Sequence, residues 1–395
     1  MIVKSRLNWL PYKLGDIAEV VTGSTPSSER SELYGNDVPF VTPADLDSRE
    51  IIIKTKRGLS KLGAIEARIL PPETILVCCI GATIGKVGFG GTTLATNQQI
   101  NSLVINQDLA FPKFVYHYCR TIKPIILANS TSTTLPIINK SRFSELPIFL
   151  PPLAEQKRIA AILDKADAIR RKRQEAIRLA DELLRSVFLD MFGDPVSNLK
   201  GWEIQNLESL ISQPLRNGTS PSTEGKYYGR VLMLSAITGK GFNSSSAKSA
   251  TFAKEFIDSD LVDSRDFLIC RGNGNLNLVG RGCFPTYSMS DVIFADTMIA
   301  ARFRESMVEK EYIEVVWNSS FVRSQIEKAA RTTNGTYKIN QTMVEAIKLP
   351  LPPKQMQEQF SKISMKIRTI SQSWQRTYDQ DLFNSLVQRA FRGEL

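Results

Sequence analysis

The 395-residue chain contains one histidine and five cysteines, and no pair of those cysteines has Cys-x-x-Cys spacing. That supply is too thin for a transition-metal site, which draws on imidazole and thiolate ligands. The cysteines, Cys78, Cys79, Cys119, Cys270 and Cys283, are odd in number and scattered. A disulfide framework is therefore not expected, and a reducing cytoplasm fits best. No uncharged apolar run approaches the ~18–20 residues of a membrane span. The opening residues, MIVKSRLNWLPYK, hold no apolar core of the length a secretory leader needs. The reading is a cytoplasmic protein with no membrane and no cofactor.

Catalytic signatures are missing as well. There is no Gly-x-x-x-x-Gly-Lys-Ser/Thr phosphate loop. There is no Asn-Pro-Pro-Tyr/Phe or Asp-Pro-Pro-Tyr run, since every Pro-Pro pair follows leucine. VGFGG at 87–91 reads as a hairpin, and RGNGNLNLVGRG at 271–282 lacks Gly-x-Gly-x-x-Gly spacing. His117, in FVYHYC, reads as a satisfied or surface histidine on a helical pattern. Cys78 and Cys79, in ILVCCI, read as core thiols. With no nucleophile, base or nucleotide loop supplied, a non-catalytic protein with no small-molecule substrate is expected.

Apolar residues make up 42% of the chain, enough for two or three packed domains. The formal net charge of +10 is spread along the sequence rather than gathered in a tail. A mildly basic folded surface suits a polyanion but does not by itself identify one.

The strongest feature is an internal repeat. Ile138-Asn139 matches Ile339-Asn340, Pro151-Pro152 matches Pro352-Pro353, and Gln156, Ile159 and Ile162 match Gln357, Phe360 and Ile363, all at one offset of 201. The beginnings of the halves also match. Trp9 and Leu14 are spaced as Trp202 and Leu207, and TGSTPS at 22–27 resembles NGTSPS at 217–222. The interiors share only texture: ILVCCI at 75–80 resembles FLIC at 267–270. One departure is clear: Lys354-Gln355-Met356 stands where the first copy has Leu153-Ala154-Glu155.

From Leu153 to Phe192 there is neither glycine nor proline. Pro151-Pro152 suits a helix start and Gly193-Asp194-Pro195 a stop. Ile159, Ile162, Ala166, Ile169, Ala176, Ala180, Leu183 and Val187 follow the steps of a coiled-coil seam. The second copy runs from Lys354 to about Arg392, with Phe360, Ile363, Ile367, Ile370 and Trp374 continuing to Tyr378, Leu382 and Leu386. At about 1.5 Å per residue each helix spans about 60 Å. Two equivalent helices in a duplicated chain most simply pair antiparallel. The remainder reads as mixed α and β. Strand-like runs fall at 75–80, 84–89, 100–105, 231–237, 267–270, 278–284 and 298–303, with helical patterns near 112–127 and 311–330.

With duplicated variable parts and duplicated long helices, the chain resembles the specificity (S) subunit of type I restriction–modification systems. LGDIAEVVTG, LPPLAEQKRIAAILDKAD, FLDMFGDP and AFRGEL carry the resemblance, which covers essentially the whole chain. It implies an α+β fold of two pseudo-symmetric target recognition domains joined by two long antiparallel coiled-coil helices. The domains would be 1–150 and 196–350, and the spacer helices 151–195 and 351–395. Each recognition domain would read one half of a bipartite, asymmetric site on double-stranded DNA. The helices would set the spacing and dock two adenine methyltransferase (M) subunits, which restriction (R) subunits then join. A coiled-coil adaptor with two protein-binding arms is the alternative.

Base edges are read by side chains with paired donors and acceptors, and phosphates by cations and small hydroxyls. Three polar, glycine-bearing stretches supply them. The candidates for DNA contact are Thr83, Lys86, Asn97 and Gln98; Arg271, Asn273 and Asn275; and Thr131 and Thr133 together with Thr333, Asn334 and Lys338. Gln156, Ile159, Ile162, Ile169, Leu183, Gln357, Phe360, Ile363, Ile367 and Trp374 are the candidates for helix pairing or partner docking. Arg170-Arg171-Lys172-Arg173 covers every face of a helix and reads as solvated or paired, with Asp167 and Glu175 near.

Overall fold

The structure is a computed structural model that describes residues 9–46, 51–131, 135–239, 241–333, 335–377 and 380–395. The chain divides into two compact units, residues 1–173 with 378–395, and residues 174–377. The first long helix therefore contributes to both.

In the first unit, strands Leu10–Lys13 and Pro147–Leu150 pair antiparallel, Leu10 opposite Leu150, and so close the two ends of the head onto each other. Behind them lies a sheet in the order Ala18–Thr22, Ile100–Ile105, Ile75–Cys78, Val87–Gly90, Ile51–Ile52. A second sheet follows the order Gly58–Leu59, Tyr34–Val41, Leu94–Thr96, Ile69–Leu70. Ile75–Cys78 is buried along its whole length, hence its continuous apolar run instead of an alternation. The helical pattern near 112–127 is two helices, Pro112–Cys119 and Lys123–Ala128, the second opened by Pro124 in its first turn.

The second unit repeats this plan. Its closing ribbon pairs Glu203–Asn206 with Lys348–Leu351. One sheet runs Arg216–Asn217, Met298–Arg302, Asp266–Cys270, Gly282–Cys283, and the other Ala247–Phe252, Tyr227–Leu232, Met289–Phe294, Leu261–Val262. Helices Lys310–Trp317 and Ser320–Ala329 stand where the first unit has its pair. The unit adds a three-stranded sheet, Gly272–Asn273, Thr336–Lys338, Arg331–Thr333. Among the described residues the first unit has no counterpart to it.

The first linker helix spans Leu153–Phe192, 40 residues, as its lack of glycine and proline implied. It stops at Gly193, which takes φ +75°, a left-handed conformation that glycine adopts without strain. The second linker is described as Lys354–Thr377 and Gln380–Arg392; Tyr378, part of the expected seam, lies outside the described residues. In the first unit Ile159, Ala160 and Leu163 pack with Ala390 and Phe391. In the second, Phe188 and Phe192 pack against Phe360, with ring centroids 5.6 and 5.4 Å apart. The start of the first linker thus meets the end of the second, and its end meets the second's start: the pairing is antiparallel.

The seam itself differs from the one expected. On the first helix the buried positions are Ile159, Ala160, Leu163, Asp167 and Arg170, then Phe188 and Phe192. Ile162 is half-buried, and Ile169 and Leu183 are 52% and 53% exposed. The stripe turns by one residue, about 100°, because an ion cluster continues it past Leu163 where a hydropathy pattern looks for leucine. Arg170 is accordingly buried, 2.6 Å from Asp167, and not solvated. On Lys354–Thr377 the buried face is Gln357, Phe360, Ser361, Ser364 and Ser371, with Ile363 and Ile370 exposed and Ile367 and Trp374 half-buried. Small serines take the inner positions, and hydropathy does not score them as core.

Gln156 and Gln357 are corrected too. Both are buried and face their own heads. Gln156 Oε1 accepts from Phe111 N (2.8 Å), and its Nε2 donates to the carbonyls of Leu109 (3.2 Å) and Pro151 (2.9 Å). Gln357 repeats the set with Glu309 N (3.0 Å), Met307 O (3.2 Å) and Pro352 O (2.8 Å). Each amide satisfies three backbone groups where a head joins its helix, so neither side chain is free for a second helix or a partner.

Candidate nucleic-acid interface

The polar stretches singled out in the sequence converge in each head on one hydrogen-bonded frame. In the first head Cys78 N donates to Lys86 O (2.9 Å) and Gly85 N to Cys78 O (2.8 Å). In the second, Cys270 N donates to Arg281 O (2.8 Å) and Gly280 N to Cys270 O (2.7 Å). Gly85 and Gly280 have φ +82° and +74°, which the two hairpin turns require and a side chain resists. The next strand locks in alike: Cys79 N to Gln99 O and Arg271 N to Thr297 O, both 2.8 Å. The segment before the helix start closes the frame, with Ile138 N donating to Cys79 O (3.0 Å) and Ile339 N to Arg271 O (2.9 Å).

The glycine-led loops that opened the repeat belong here as well. Gly23 N donates to Ile100 O (3.1 Å) and Gly218 N to Met298 O (3.2 Å). A Cβ on either glycine would lie 2.3 and 2.1 Å from a facing carbonyl oxygen, so only glycine fits. Thr25 donates to Gln98 Oε1, and Arg68 Nη1 donates to Thr22 O (2.7 Å). The repeat made TGSTPS visible, but its place beside Gln98 was not readable from spacing.

On this frame the first head gathers Thr83, Lys86, Asn97, Gln98 and Thr131. Thr83 Oγ1 lies 3.3 Å from Cys78 Sγ, Thr131 Oγ1 donates to Ile137 O (3.2 Å), and Asn97 Nδ2 donates to Gln99 Oε1 (3.0 Å). The second head gathers Arg271, Asn273, Asn275 and Lys338. Arg271 Nη1 donates to Asp296 O (3.2 Å). Asn273 Oδ1 accepts from Asn275 N (2.9 Å) and Asn275 Oδ1 from Asn277 N (3.0 Å). Each asparagine thus spends its oxygen on the turn, and its amide NH2 makes no hydrogen bond among the described residues. Thr133 and Asn334 lie outside the described residues, and Thr333 is placed by its strand position alone.

The added sheet of the second head carries two cations, Arg331 and Lys338. Arg331 stands directly opposite Lys338, and Thr333 opposite Thr336. Like charges directly opposite on a sheet repel. Both cations are exposed, and neither makes an ion pair among the described residues. Gly272, opposite Lys338 on the third strand, lets the lysine stem pass: a Cβ there would sit 3.2 Å from Lys338 Cγ. Sequence reading singled out Lys338 but not Arg331, whose partnership depends on strand register.

His117 is buried, its Nε2 2.8 Å from Asp164 Oδ1. Burial pulls its imidazole below the usual value against the pull of Asp164. All five cysteines are free and buried. Burial pushes Cys79 and Cys283 up to about 12 and Cys270 to about 11, so these thiols stay protonated. Among the described residues no group of three or more His, Cys, Asp or Glu could hold a metal ion. No helix among them is long and apolar enough to cross a membrane.

Residues 7–179 match the family model described as the type I restriction modification DNA specificity domain. The MjaIX specificity subunit of a type I restriction enzyme from Methanocaldococcus jannaschii is 30% identical over 52% of this chain and 52% of its own. The HindI specificity subunit of Haemophilus influenzae is 32% identical over 43% and 39%. The chain thus spans about half, or less, of these two relatives' lengths. The EcoKI specificity subunit of Escherichia coli is 23% identical, over 98% of this chain and 89% of its own. Among solved structures, the type I restriction–modification S subunit from M. genitalium shares the fold at 15% identity with a TM-score of 0.64, covering 100% and 99%.

Proposed function

The chain being a relative of the specificity subunits of type I restriction–modification systems, we infer that it is the DNA-reading subunit of such a complex and has no catalysis of its own. One observation carries the reading: two heads build the same hydrogen-bonded frame and mount different side chains on it. A shared frame keeps the way of meeting the duplex. Different side chains let each head read a different half-site, so the site is bipartite and asymmetric. The recognition domains are 1–150 and 196–350, and the spacers 151–195 and 351–395.

Thr83, Lys86, Asn97, Gln98, Thr131 and Thr133 read for the first head, and Arg271, Asn273, Asn275, Thr333, Asn334 and Lys338 for the second. Free amide donors on Asn273 and Asn275 suit base-edge acceptors. Arg331 and Lys338, repelling across their ribbon, suit a phosphate of the backbone. Ile162, Ile169, Leu183, Ile363, Ile367 and Trp374, at least partly exposed, are proposed to meet two methyltransferase subunits, with restriction subunits joining. The setting is the cytoplasm.

The test is duplex binding by the whole chain over a salt series. Each phosphate contact contributes about 0.9 to the slope of log affinity against log salt. The double variant R331Q/K338Q should lower that slope by about 1.8. Weak, salt-indifferent binding by the native chain would refute DNA reading and leave the protein-binding adaptor. An unchanged slope in the variant would remove only the phosphate role of this pair.

A further inference from the structure

Beside the shared glutamine clamp, the two heads sit on their helices through ion pairs of opposite polarity. In the first unit the head helix Pro112–Cys119 brings Lys113 Nζ and His117 Nε2 to within 4.0 and 2.8 Å of Asp164 Oδ1. Arg120, just past that helix, reaches Asp167 at 3.5 Å. Arg170 and Arg171 of the linker helix itself, 2.6 and 3.5 Å from Asp167, complete its surroundings. Bases come from the head and acids from the helix. In the second unit Glu314, on the head helix Lys310–Trp317, pairs with Arg368, and Glu309, just before it, lies 2.5 Å from Lys354 Nζ. Here acids come from the head and bases from the helix. The offset of 201 makes Arg368 the counterpart of Asp167, Met365 of Asp164 and Lys354 of Leu153.

We propose that the two helix starts are charge-coded docking surfaces, residues 153–170 accepting a head with a basic docking helix and 354–371 a head with an acidic one. The glutamine clamp is the same in both copies and cannot tell the heads apart. The charges can. A first head on the second surface sets Arg120 against Arg368, and a second head on the first sets Glu314 against Asp167. Asp167, Arg120 and Glu314 are largely buried, so little water screens the repulsion. Each head is thereby matched to one position in the chain, whatever it reads. A head grafted from another protein must carry the sign of the position it enters.

The test is a full-length chimera in which residues 10–150 also replace 203–351, followed by calorimetry. Its second-position head should unfold at least about 5 °C below its first-position copy. Adding K354L/M365D/R368D, which places the counterparts of Leu153, Asp164 and Asp167 on the second surface, should restore that loss. Equal melting without the added substitutions, or no recovery with them, overturns the proposal. In the native chain E314R should lower the melting of the second unit and R368E on top of it should raise it again; a pair no better than the single variant also overturns it.

Discussion

The glutamine clamps show how a single side chain can decide where a head ends and a helix begins. Replacing Gln357 by leucine keeps volume but leaves Glu309 N, Met307 O and Pro352 O without partners in a buried place. A buried polar group so orphaned costs about 1–3 kcal/mol, and urea denaturation should show a loss of at least that size in the second unit. The repeat made both glutamines conspicuous. It could not show which way they point, since a glutamine at a helix start serves a neighbour or its own loop equally well in sequence. His117 gives a pH signature. Its folded-state proton affinity is depressed by burial, so unfolding takes up a proton that the folded ring refuses. Stability of the first unit should therefore fall as pH drops from about 7 through the unfolded value near 6.5 toward the lower folded one. Burial raises Asp164, but His117 and Lys113 outweigh it and hold the carboxyl below its ordinary value, so its contribution disappears at lower pH still. Between pH 8 and 5 the melting temperature of the first unit should fall more with decreasing pH in the native chain than in H117Q; the same pH dependence in both would assign the loss to other groups.

For the elements, length and ends were legible and rotation was not. Proline before, glycine after and none between mark a helix from Leu153 to about Phe192, and the helix spans Leu153–Phe192. The face it buries depends on what packs there, and that is partly an ion cluster around Asp167 and, on the second linker, a row of serines. A pattern that counts only aliphatic side chains slides to Ile169 and Leu183. Substitution distinguishes the two registers. L163A should cost about 2–4 kcal/mol as a buried truncation, and I169A should stay within about 0.5 kcal/mol as a surface change, both by thermal or urea unfolding. Strands buried on both faces, such as Ile75–Cys78, were readable as apolar runs. The second sheet of each head was largely missed, because Tyr34–Val41 and Ala247–Phe252 mix polar and apolar residues without alternation.

At the scale of the whole molecule the duplication was the most legible feature, and the frame beneath it shows why. Hydrogen bonds between backbone groups repeat from head to head even where the side chains share nothing, so the interiors diverge while the ends stay alike. If the linkers act as a ruler between two reading heads, length should be adjustable without touching what is read. Inserting four residues into both linkers adds about 6 Å, close to two base-pair steps of about 3.4 Å. Sequencing of methylated sites should find the same half-sites with a longer gap; altered half-sites at an unchanged gap would contradict the ruler.

The antiparallel linkers also set a timetable for synthesis. Ile159, Ala160 and Leu163 leave the ribosome early, yet Ala390 and Phe391, which cover them, are made 227 and 228 residues after Leu163. At roughly 5–20 residues per second that patch waits roughly ten to fifty seconds for its cover. Through that interval the first head is a nascent domain with an open apolar face. It is then at its most exposed to chaperones, proteases and a second nascent copy, and completing the last helix ends that exposure.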